Sequence, residues 1–146
     1  MLFGQDRRQL RKVFFDAWQQ HRAGRQLEGV ERLVVAVALR HPEYQPLLDQ
    51  PDASADRDWT PELGESNPFL HMAMHIAIEE QLAVDRPPGI RAHFTALCRA
   101  YGDDHEAQHH IMECLAESLW QAGRSGLPPD ENAYLDCLKR ATHPQT

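Results

Sequence analysis

Residues 67–84 read NPFLHMAMHIAIEEQLAV. Asn67 can accept hydrogen bonds from the first turn of a helix, and Pro68 suits the first helical position because the N–H it lacks has no partner there. Phe69, Leu70, Met72, Ala73, Met74, Ile76, Ala77, Ile78 and Leu82 then leave hardly any polar side. A helix apolar nearly all round belongs in the middle of a helical bundle. Three polar groups break the apolar surface: His71, His75 and Glu79, spaced i, i+4, i+8 on one slowly drifting face.

Upstream, Leu10, Val13, Phe14, Ala17, Trp18 and His21 form the stripe of a first helix, and Gly24 breaks it. Val30, Leu33, Val34, Val37 and Ala38 repeat the pattern in a second helix. It must stop near His41, since Pro42 disfavours helical torsions in the residue before it. From about Asp49 to Ser66, Pro, Asp, Ser and Gly dominate, little suits a core, and the stretch reads as a solvent-side loop. Downstream of the central helix, Pro87-Pro88-Gly89 leads into a shorter fourth helix through His93, Phe94, Leu97 and Tyr101, closed by Gly102. Asp103 or Asp104 caps a fifth, with Met112, Leu115, Ala116, Leu119 and Trp120, ending between Gly123 and Gly126. A last helix near residues 130–141 carries Tyr134, Leu135 and Leu138. No segment alternates like a strand, so the expectation is all-α: one domain over residues 1–146, a bundle of five or six helices.

A chain of 146 residues can bury a core without disulfides, and 42% hydrophobic with 25% charged residues excludes a disordered chain. Fifteen basic against 22 acidic residues leave a net charge of −7, which repels nucleic acid and anionic lipid, so neither is an expected partner. No apolar window reaches about 18 residues, and Met1 to Arg8 lacks the order of a signal peptide, which predicts a cytoplasmic protein. Cys98, Cys114 and Cys137 are widely spaced and never paired as Cys-x-x-Cys. Neither a disulfide scaffold nor a zinc ribbon is indicated, and Cys114 reads as a small hydrophobe.

The fifth helix repeats the polar spacing of the third with His105, His109 and Glu113. With nine His among 146 residues, one such triad arises by chance about 0.04 times per chain and two about 0.001 times. Imidazoles and carboxylates on a buried helix cost several kcal/mol each unless paired, protonated or metal-bound. A divalent ion, Zn, Fe or Mn, is the compact solution, with His71, His75, Glu79, His105, His109 and Glu113 as ligands. Eight residues rise about 12 Å along a helix, long for one ion and suited to two about 3.5–4 Å apart, so one or two ions per chain are expected. The competing reading is a metal-free network in which buried His and Glu satisfy one another.

His105-Glu106-Ala107-Gln108-His109 also matches His-Glu-x-x-His, where the glutamate activates water beside zinc, which marks Glu106 as a candidate acid or base. A peptidase of that kind needs a sheet edge, and no strand is evident. Glu106-x-x-His109 is likewise the step used in di-iron bundles, although those carry it on two helices. His41 and Glu43 are candidate outer ligands, against the simpler role of a helix-ending histidine near the dipole. His21 reads as a packed core residue, His93 and His110 as groups beside the stripes, and Arg86 with Arg91 as an anion site or a solvated turn.

The words Asn67-Pro68-Phe69-Leu70-His71, Asp85-Arg86-Pro87-Pro88-Gly89-Ile90-Arg91, His41-Pro42-Glu43-Tyr44 and Met112-Glu113-Cys114-Leu115 together resemble a bacterial family catalogued as domain of unknown function 1841. The resemblance covers nearly the whole chain, includes both triads, and brings no established activity. In that family His often follows the His-Pro-Glu-Tyr word, whereas this chain has Gln45. The expected function is a metal-binding helical bundle with its site between the third and fifth helices, a metal-dependent oxidoreductase or hydrolase if it is an enzyme, acting on a small molecule or a protein partner. The alternative is a non-enzymatic interaction or structural module whose polar stripe sets helix register.

Overall fold

The computed structural model describes residues 7–55, 57 and 67–143. In chain order these form α1 (Arg7–Arg22), α2 (Val30–Leu39), a 3₁₀ turn (Pro42–Tyr44), α3 (Gln45–Leu48), α4 (Pro51–Ser54), α5 (Pro68–Val84), α6 (Ile90–Tyr101), α7 (Asp104–Ser125) and α8 (Glu131–Ala141). The described residues contain no strand, as the sequence indicates. The expected five or six helices fall short of the eight α-helices among the described residues because α3 and α4 are each four residues long, too short to show a period. Two compact units divide the chain, residues 1–77 and 78–146, and the division falls inside α5.

In the first unit, α1 packs on α2, and Phe14, Ala17 and Trp18 are fully buried with Val34, Ala38 and Leu48. Phe69, from the first turn of α5, meets Phe14 at 5.9 Å and Phe15 edge-on at 5.5 Å between ring centroids. Asn67 starts α5 as the sequence indicates, its Oδ1 accepting from the Phe69 N–H at 2.9 Å. Trp18 donates Nε1–H to Asp49 Oδ1 at 2.7 Å, and Arg22 grips the same carboxylate from outside. Hydrogen bonds from Arg22 first, then Trp18, hold the Asp49 carboxyl below its ordinary range.

The expected solvent-side loop needs correction at its start: residues 51–54 are helical and Ser54 is buried. The cause is Arg11, buried on α1, whose Nη1 donates to the carbonyls of Ser54 at 3.3 Å and of Ala55 and Arg57 at 2.8 Å each. A guanidinium from far along the chain thus satisfies carbonyls that a helix end leaves without intrahelical partners. Residues 56 and 58–66 of that loop, and residues 1–6 of the N-terminal reading, lie outside the described residues.

In the second unit α7 packs against both α6 and α8. Asp103 caps α7 by accepting from the Glu106 N–H, and Asp130 caps α8 by accepting from the Ala133 N–H. Gly102 and Gly126 end α6 and α7 with φ of 74° and 71°, left-handed torsions that glycine adopts without steric cost. Arg91, read as an anion site or a solvated turn, closes the end of α5 by donating to the carbonyls of Leu82 and Ala83. Asp85 accepts from the Arg91 and Gly89 N–H groups. Tyr134 donates its hydroxyl to Gln81 at 2.8 Å, and burial pushes its phenol above the ordinary range.

The expectation for Cys114 is overturned. A disulfide joins it to Cys137, tying α7 to α8 across 23 residues. Neither cysteine sits in a spacing motif, and only the packing of two separate helices brings them together.

Candidate metal centre

In the first unit, His41 sits where α2 has ended and Pro42 forces a turn, and it is 4% exposed. Its Nδ1 lies 2.8 Å from the Val37 carbonyl oxygen. A carbonyl only accepts, so Nδ1 carries the hydrogen and the Nε2 lone pair is presented to the other side of the ring. A backbone carbonyl holding one ring nitrogen while the other serves a metal is the usual outer partnership of a ligating histidine.

That face meets two imidazoles from α5. His75, buried, has its ring centroid 4.9 Å from that of His41, and His71 lies edge-on at 5.1 Å. His71 and His75 are one helical turn apart, their Nε2 atoms separated by 3.2 Å. Two nitrogens bound tetrahedrally at about 2.0–2.1 Å lie about 3.3 Å apart, so this pair already has the spacing of adjacent ligands. Tyr44 stacks on His41 with 5° between the planes, and burial, with the Glu43 carboxylate adding to it, holds the phenol above its ordinary value. The first unit therefore carries three imidazoles under a tyrosine lid.

In the second unit, His105 and His109 lie one turn apart on α7, half-buried, their rings perpendicular with centroids 4.4 Å apart. Between them on the chain, Gln108 is buried and donates Nε2–H to Glu79 Oε1 at 2.5 Å. The Glu79 carboxylate thus meets an amide that the spacing of the triads did not single out.

The remaining expected site residues lie elsewhere. Glu113 is exposed and lines a surface depression with His110, Cys114 and Cys137. Each step of four residues turns a helix about 40° past a full circle, so Glu113 stands about 80° from His105. Glu106 is also exposed and faces His110, with 3.4 Å between Oε1 and Nε2, while His110 stacks on Tyr101 at 3.8 Å. His21 tilts against Trp18 in the first unit. His41 is the ligand candidate that the sequence treated as an outer group. The signal was the His-Pro pair, which takes the ring out of the helix and folds it back.

A family model described as "Domain of unknown function (DUF1841)" matches residues 6–140. The chain belongs to this family. No curated protein and no solved structure matches it. In this DUF1841 chain His41 and His75 each offer a ring nitrogen within 4.8 Å of the other, and so do His105 and His109. Among the described residues, no helix is long and apolar enough to cross a membrane.

Proposed function

We propose that the protein binds one divalent transition-metal ion through the imidazoles of its first unit, His41 and His75, with His71 beside them. The observation that carries this reading is the His41 ring, whose Nδ1–H is committed to the Val37 carbonyl and whose centroid lies 4.9 Å from that of His75. Neutral nitrogens and no carboxylate suit zinc or a later first-row ion such as copper better than magnesium or manganese. A single imidazole site narrows one or two ions to one, and it takes Glu79, Glu106 and Glu113 out of the ligand set, since Glu79 accepts from Gln108 and the other two are exposed.

The protein, purified without a tag and dialysed against metal-free buffer, is expected to retain about one ion per chain by elemental analysis. His75→Ala is expected to lose it, while Glu113→Gln keeps it. A chain that holds no ion even after zinc or copper supplementation at neutral pH would overturn the reading. A specific observation then favours the metal-free network: the 3.2 Å between His71 Nε2 and His75 Nε2 also fits an ordinary N–H···N hydrogen bond.

A further inference from the structure

We propose that the Cys114–Cys137 bond is a thiol-exchange site, opened by a dithiol reductant that attacks at Cys137. The two sulfurs are not equivalent. Cys114 is 3% exposed, inside the packed face of α7, whereas Cys137 on α8 is half-buried. Two surface depressions, of about 330 and about 390 Å³, are each lined by Cys114, Cys137 and Arg140, so the bond is approached from two sides. Either volume accommodates a small thiol. Arg140 lies one turn beyond Cys137 on α8 and borders both depressions, where its guanidinium attracts the anionic thiolate of the incoming reductant. Cys98, the other described cysteine, sits differently: burial, with the Asp104 carboxyl beside it, pushes its thiol up to about 11, so it keeps its proton and stays out of the exchange.

The chemistry balances with a dithiol as the only co-reactant. Its thiolate attacks Cys137 Sγ and forms a mixed disulfide, the Cys114–Cys137 bond breaks, and the electron pair leaves on Cys114 Sγ, which takes a proton from solvent. The second thiol of the reductant, deprotonated, attacks its own sulfur in the mixed disulfide and releases Cys137 as a thiolate, protonated in turn. The protein disulfide is reduced by two electrons and the dithiol becomes a cyclic disulfide. What the fold loses is its covalent tie between α7, which carries His105 and His109, and the last described helix.

The test uses the whole chain at pH 7.5 without denaturant. Dithiothreitol is added, the reaction is quenched with iodoacetamide, and labelled peptides are mapped by mass while far-UV circular dichroism is followed. Label is expected at Cys114 and Cys137 together within minutes, with the helical signal retained. Labelling only at denaturant concentrations that unfold the chain would overturn the proposal. For the point of attack, the unaltered chain is trapped with a limiting monothiol and the first adduct is mapped: an adduct on Cys137 supports the assignment and one on Cys114 refutes it.

Discussion

Replacing the disulfide tests how much the second unit depends on it. Cys114→Ala with Cys137→Ser is the suitable pair, alanine where the site is buried and serine where it is half-exposed. The bond closes a loop across 23 residues. In the chain-entropy account, closing a loop of that length removes roughly 11–12 cal/mol/K from the unfolded ensemble, or about 3.4 kcal/mol at 25 °C. Residues 78–146 form the compact unit concerned, and for a unit of that size each kcal/mol moves the midpoint by about 4–8 °C. The variant is therefore expected to melt roughly 14–27 °C below the unaltered protein, followed by circular dichroism at 222 nm. Two controls separate the bond from side-chain packing. Dithiothreitol should bring the unaltered protein down to the variant's midpoint, and it should leave the variant unmoved. A variant that melts within about 2 °C of the unaltered protein, with neither responding to reductant, would refute the reasoning.

Ligand loss should be graded by place. His41→Phe is expected to weaken zinc binding more than about 100-fold, beyond the 10–100-fold that loss of an outer partner costs, whereas His71→Phe weakens it less; competition with a chromophoric chelator measures both. Asp49 gives a pH test, since its carboxyl is held below its ordinary value of 3.8 by hydrogen bonds from Arg22 and Trp18. A lowered folded value means the stabilisation is complete above that ordinary value and disappears as pH falls through the lower, folded one. Asp49→Asn, with an amide oxygen still available to Trp18, should cost under about 1 kcal/mol at pH 7, because the Arg22 pair is exposed. As pH falls below the folded value the cost should shrink towards nothing, and a penalty that stays unchanged on acidification in urea melts would contradict the assignment. Without reductant, iodoacetamide at pH 8 should leave Cys98 unmodified for hours, because its thiol is held at about 11; rapid labelling at that residue would show a thiolate where burial forbids one.

Much of this protein could be read from residue order, and what could not shares one physical character. The central helix and the capped α7 were legible because their apolar spacing and their Asn67 and Asp103 caps are local properties. The turn of α4 was not, because its carbonyls are satisfied by Arg11 from another part of the chain. The disulfide was hidden for the same reason: its two halves lie on helices whose packing, not whose spacing, makes them neighbours. At the site, the doubled His-x-x-x-His step pointed to real pairs, His71 with His75 and His105 with His109.

The glutamate that completes each triad misled, because a four-residue step drifts about 40°. After two steps Glu113 has turned out to solvent, while Glu79 is drawn to Gln108. A ligand set confined to one helix therefore rarely extends past two members one turn apart, and a further donor has to come from another part of the chain. In the first unit the candidate for that donor is His41, released from α2 by Pro42 and anchored through Val37. The same logic explains why carboxylates drop out: once three imidazoles and Tyr44 crowd the inner surface of the first unit, an ionised glutamate there would need partners that the packed rings do not offer. The proposed all-nitrogen set predicts zinc-type rather than manganese-type occupancy, which elemental analysis measures.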